Sequence, residues 1–81
     1  MDYKHIHDTT ITYLRTTPVK DRLRRRNPLD IRLTAPSIYI EMHHIIPRSL
    51  GGLDHPSNLI EVLPEEHIFL HMLRHRVYGQ R

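Results

Sequence analysis

The sequence predicts a small α+β domain, and three observations carry that reading. Apolar residues recur at spacings of three and four over residues 2–16, as one stripe of an amphipathic helix does. Further on, Ile38, Ile40 and Met42 alternate with Tyr39, Glu41 and His43, the period of a strand. Pro64 followed by Glu65 and Glu66 opens a last helix, with proline in the first turn and negative side chains complementing the macrodipole. At 81 residues the chain can bury only one thin core, and with no cysteine it has no disulfide to staple it.

Each element follows in turn. Tyr3, Ile6, Thr10, Tyr13 and Leu14 form the stripe of the first helix, although Thr9, Thr10 and Thr12 are poor helix formers. Thr17-Pro18 reads as an N-cap and first-turn proline for a short basic helix over 18–26, which Asn27-Pro28 stops. Over 29–33 apolar residues alternate with Asp30 and Arg32, giving a short edge strand or an extended linker that Ala35-Pro36 interrupts. The strand begun at Ile38 runs into His43-His44. Residues 47–57, rich in Pro, Gly, Ser and Asp, form an irregular loop, and 59–63 a second strand. The last helix carries Arg74 and Arg76 toward its end and stops at Gly79; Ile68, Phe69, Met72, Leu73 and Val77 are expected to pack on the strands and the first helix. The organisation expected is a helical basic segment, 1–35, followed by a core unit, 36–81, with no internal repeat or low-complexity tract.

The formal charge of +3 favours an anionic partner, and it is concentrated. Between residues 15 and 32 lie Arg15, Lys20, Arg22, Arg24, Arg25, Arg26 and Arg32 against only Asp21 and Asp30. Arg22, Arg24, Arg25 and Arg26 are expected to form a phosphate-contacting surface, with Arg48 near a bound phosphate. No apolar run approaches the roughly 18 residues that cross a bilayer, so a cytoplasmic protein with no membrane partner is expected.

Eight histidines supply the chemistry. His67 and His71, four apart on the last helix, stack on one face about 6 Å apart at Cβ, close enough to chelate one ion. His43 and His44 are adjacent on a strand, so their side chains point to opposite sides. One of them completes a three-imidazole site with the helical pair, and the other faces a substrate and is free to move a proton. His5, His7, His55 and His75 fit no such pattern and are assigned to the surface.

The ordered set Glu41, His43-His44-Ile45-Ile46-Pro47, Gly51-Gly52, Asn58-Leu59, Leu63, His67 and His71 resembles the HNH endonuclease motif, whose fold is the ββα-metal unit. The likeness spans about half the chain and is nearest to phage-encoded HNH homing endonucleases; the triple-histidine set also resembles the nuclease domains of DNA-degrading colicins. The resemblance implies a metal-dependent endonuclease that cuts double-stranded DNA to 5′-phosphate and 3′-hydroxyl ends. It assigns His43, His67 and His71 as metal ligands, His44 as general base, and Asn58 as the catalytic-site asparagine that braces the loop and base. Glu41 is placed to orient a ligand imidazole. An imidazole of ordinary pKa accepts a proton at neutral pH, and a divalent ion neutralises charge growing on the phosphate and leaving oxygen.

Three imidazoles suit zinc, nickel or manganese better than magnesium, although any of the four is a candidate for the one divalent ion expected. Two departures stand out. Leu63 replaces the threonine that many phage relatives place before the helix proline, removing a side-chain cap at a cost of roughly 1 kcal/mol. Such enzymes also usually continue into a DNA-reading region, so the chain is expected to be either the catalytic part of a longer protein or a minimal nuclease of low selectivity. Two alternatives follow from the same residues: a non-catalytic, metal-stapled DNA-binding module, and a toxin-like nuclease without sequence preference.

Overall fold

A computed structural model describes residues 1–79; Gln80 and Arg81, the end of the expected 36–81 unit, lie outside the described residues. The architecture is α+β, as expected: helices α1 (Tyr3–Thr16) and α2 (Val19–Arg26), then strands β1 (Glu41–His44) and β2 (Leu59–Val62), then helix α3 (Pro64–Tyr78). The strands pair antiparallel with His43 opposite Ile60 and His44 opposite Leu59. Helix α1 packs across α3 and β2. Among the described residues, no helix is long and apolar enough to cross a membrane.

Local chemistry explains the boundaries. Asp2 caps α1 by accepting from the His5 amide at 3.0 Å, and the hydroxyls of Thr9, Thr12 and Thr16 bond back to carbonyls one turn earlier. Pro18, not Thr17, holds the N-cap position of α2, because Thr17 is buried and its carbonyl accepts from Arg22. The 29–33 stretch is neither strand nor linker but leads into a 3₁₀ turn, Ile31–Thr34. There Asp30 accepts from the Arg32 amide, and Arg32 bridges Asp30 to Glu65, a closed local arrangement that competes with an extended backbone. Strand β1 starts at Glu41 instead of Ile38, since β2 offers only four residues for pairing.

The loop between the strands contains two 3₁₀ turns, Arg48–Leu50 and Pro56–Asn58. Gly51 is left-handed at φ 88°, and a Cβ on Gly52 would run into the Ile46 carbonyl, so the loop's return requires both glycines. Leu63 gives α3 no side-chain cap, but Glu66 accepts from the Leu63 amide at 2.8 Å and so supplies half of a capping box. At the far end Gly79 is left-handed and donates to the His75 carbonyl.

Ile11, Leu14, Ile60, Val62 and Leu70 form the central cluster, with Ile45 against it. Leu73 is buried as expected, but Ile68 and Met72 are 73% and 52% exposed and Phe69 lies half out of the core. The buried face of α3 runs through Leu70 and Leu73, and positions 68 and 72 fall on the opposite side of the same helix.

Arg22 corrects the expectation that it contacts DNA. It is buried, and all five of its N–H groups are engaged within the chain: two reach Glu66, and the others the carbonyls of Leu14, Thr17 and Glu61. A bidentate pair with every donor satisfied lets the guanidinium sit at 5% exposure and tie α1, α2, β2 and α3 together.

Candidate metal centre and active site

Strand pleating sends the adjacent histidines to different faces. His43 points inward, fully buried, against the two histidines of α3: ring centroids lie 5.3 Å from His67 and 5.7 Å from His71, with His67 and His71 4.5 Å apart. One nitrogen from each ring comes within 4.8 Å of the others. The surroundings of His43 and His71 disfavour a proton. Burial, reinforced by the Arg74 charge, pushes His43 down to about 3, and the same two causes lower His71.

Hydrogen bonding orients the cluster. His67 Nδ1 donates to Glu41 Oε1 at 3.0 Å, which turns His67 Nε2 toward His71 Nε2, 3.0 Å away. Glu41 also accepts from the Tyr39 hydroxyl, and bonds from His67 and Tyr39 hold its carboxyl below the ordinary range. Neither nitrogen of His43 has a hydrogen-bond partner although both are buried. An orphaned imidazole in a dry site costs free energy unless something accepts its lone pair. Together with two facing Nε2 atoms and a carboxylate behind one ring, this donor set could hold a metal ion.

His44 occupies the other face, and its Nε2 donates to Asp54. That bond and the nearby Arg48 charge hold the Asp54 carboxyl below its ordinary range. Sequence reasoning missed Asp54, and a loop carboxylate ten residues away carries no periodic signal that would have marked it. Asn58 is buried and its side chain makes three bonds, all to loop backbone: its Nδ2 donates to the carbonyls of Ile46 and Leu53, and its Oδ1 accepts from the Ile46 amide. It braces the loop and does not touch His44 through these bonds.

His44, His67 and His71 open on one cleft of about 330 Å³ whose walls also include Arg48, Ser49 and Arg74. Arg48 is exposed there. The remaining arginines of α2 lie on the surface, Arg24 paired with Asp21 and Arg26 with Glu65, while Arg25 is exposed. His5 and His55 are exposed as expected, His55 capping a turn through Ser57. His7, by contrast, is buried at 1% exposure, its Nδ1 donating to Asp8 and its ring edge against Tyr78.

No family model matches the chain, and no solved structure matches it. Among curated proteins it is 35% identical to "Probable mobile endonuclease E" of Enterobacteria phage T4 over 96% of this chain and 44% of that protein. It is 50% identical to "Probable mobile endonuclease B" of the same phage over 49% of this chain and 15% of the relative. A third relative, "Uncharacterized 38.5 kDa protein in psbA intron 1" of Chlamydomonas moewusii, is 51% identical over 51% of this chain and 12% of its own length. These similarities relate the chain to the phage mobile endonucleases, of which it spans less than half the length.

Proposed function

We propose that the chain is a metal-dependent DNA endonuclease unit of the HNH type, hydrolysing phosphodiester bonds in double-stranded DNA to 5′-phosphate and 3′-hydroxyl ends as the catalytic part of a phage-type homing endonuclease. The observation that carries this reading is a pair of adjacent strand histidines facing apart, His43 into a three-imidazole cluster and His44 into a cleft that the same cluster borders.

In this mechanism His44 is the general base. Its Nε2–H is held by Asp54, which leaves the Nδ1 lone pair to accept a proton from water, and the carboxylate stabilises the imidazolium that results. Asn58 fixes the backbone of residues 46–53 beside the base, and Gly51 and Gly52 let that loop return. His43, His67 and His71 would hold the divalent ion, with Glu41 setting the His67 tautomer. Such an ion supplies Lewis-acid stabilisation of charge on the scissile phosphate and the departing sugar oxygen. Arg48 at the cleft and the exposed Arg24, Arg25 and Arg26 add sequence-independent phosphate contacts. Target choice then rests with other parts of a longer protein acting in the host cytoplasm, in keeping with relatives more than twice as long.

The test is plasmid cleavage by this chain and by His44→Ala across magnesium, manganese, nickel and zinc at low salt. The expected outcome is nicking or linearisation by the unmodified chain in at least one metal, and none by His44→Ala although that variant still binds the metal. If neither protein cuts while both bind metal and DNA equally, the chain is a metal-stapled DNA-binding module.

A further inference from the structure

We infer that Arg74 contacts a phosphate of the DNA bound in the cleft, and that it is free to do so once a metal ion takes the His71 nitrogen facing His67. This rests on the nuclease reading above. Arg74 lies one turn beyond His71 on α3, half-buried, and borders the same cleft as His44, Arg48 and Ser49. Arg22, Arg24, Arg26 and Arg32 each pair with a carboxylate, whereas among the described residues no carboxylate pairs with Arg74 or Arg48, the two arginines that border the cleft. The recorded partner of Arg74 is an imidazole nitrogen, His71 Nδ1, at a long 3.4 Å.

That placement opposes the binding of a cation. A fixed positive charge within reach of His71 and bordering the same cleft repels a dication. Among the described residues no carboxylate forms an ion pair with Arg74, so an incoming anion can balance it, and a phosphodiester fits the guanidinium fork.

Hydrogen-bond directions couple the two events. A guanidinium only donates, so Arg74 keeps the His71 Nδ1 lone pair occupied and the ring proton lies on Nε2, aimed at His67 Nε2 at 3.0 Å. Ligation through Nε2 requires the other tautomer, in which that proton sits on Nδ1. Two donors then face each other, the Arg74 bond is lost, and the guanidinium turns to the cleft.

The experiment compares the full chain with Arg74→Gln, Arg74→Lys and, as a charge-matched control, Arg76→Gln, whose arginine lies over the Tyr3 ring away from the cleft. Calorimetry with zinc alone, inorganic phosphate binding to the zinc-loaded protein, and plasmid cleavage are read for each. Arg74→Gln is expected to bind zinc several-fold more tightly, to lose phosphate affinity, and to cut about 10- to 100-fold more slowly. Arg74→Lys should fall between, and Arg76→Gln should match the parent throughout. Equal zinc and phosphate affinities in Arg74→Gln and the parent would overturn the inference. If the parent cuts in no metal, the nuclease reading fails, while the zinc and phosphate measurements still decide the role of Arg74.

Discussion

Two polar clusters of this small chain differ in one physical respect. Around Arg22 every donor meets an acceptor: Glu66, three carbonyls, and nearby the Arg32 bridge from Asp30 to Glu65. In the histidine cleft the accounting stays open at His43, unpartnered at both nitrogens, and among the described residues no carboxylate pairs with Arg74, although His67 and His71 bond to each other. A closed network holds a structure; a buried imidazole with no partner beside two more is a place where a metal ion could find ligands. Charge alone does not separate the two. The arginine-rich helix that looks most like a DNA surface contributes Arg22 to the core, whereas Arg48 and Arg74 border the histidine cleft.

The largest expected effect breaks the closed cluster. Arg22→Met leaves Glu66 part-buried at 14% side-chain exposure with no counter-charge, and the Leu14, Thr17 and Glu61 carbonyls without their donors, so urea unfolding should show a loss of about 3 kcal/mol. Adding Glu66→Gln should recover part of it, because the amide oxygen still accepts from the Leu63 amide without carrying a charge. A loss no larger than that of an exposed arginine would show that the network is ornamental.

Legibility follows the same division. The two strands and α3 were readable because period-two alternation and a first-turn proline with acidic neighbours are local signals, and the three-imidazole cluster because i, i+4 spacing and strand pleating are fixed by backbone geometry. What was unreadable is non-local. Arg22 meets a carboxylate 44 residues away, and no pattern near residue 22 announces it. Asp54 reaches His44 from a loop, which has no period to project from. On α3, two apolar stripes compete, one through Leu70 and Leu73 and one through Ile68 and Met72; burial chose the first, which only packing against α1 and the strands decides. His7 was placed outside for want of a motif, yet its position on α1 faces α3.

A smaller effect sharpens the comparison from the open side. In the metal-free protein His43 is held near 3, whereas in the unfolded chain it titrates near 6.5. Across that interval the unfolded state binds the extra proton, so stability rises with pH and falls as pH drops from 6.5 toward 3, by about 1.4 kcal/mol per unit from this group. His71 acts with the same sign. Glu65 and Asp30, held near 2, begin to withdraw their contribution only below their ordinary values of 4.5 and 3.8, so the interval from 6.5 to 4.5 isolates the imidazoles. Urea midpoints across that interval should slope for the parent and flatten in His43→Leu, which should also be the more stable protein at pH 5 and the weaker binder of zinc. An unchanged slope in that variant would mean that the buried ring is not the titrating group.

The smallest effect separates surface from core on the basic helix itself. Arg25 is exposed on α2, three residues from Arg22. Arg25→Gln should leave unfolding free energy within about 0.5 kcal/mol of the parent, in contrast to Arg22→Met. On DNA it should weaken binding alike for all sequences and reduce the slope of log affinity against log salt by about one, as the loss of a single phosphate contact does. A slope that stays constant removes Arg25 from the phosphate contacts proposed for α2 and shifts attention to Arg48 and Arg74, the arginines at the cleft.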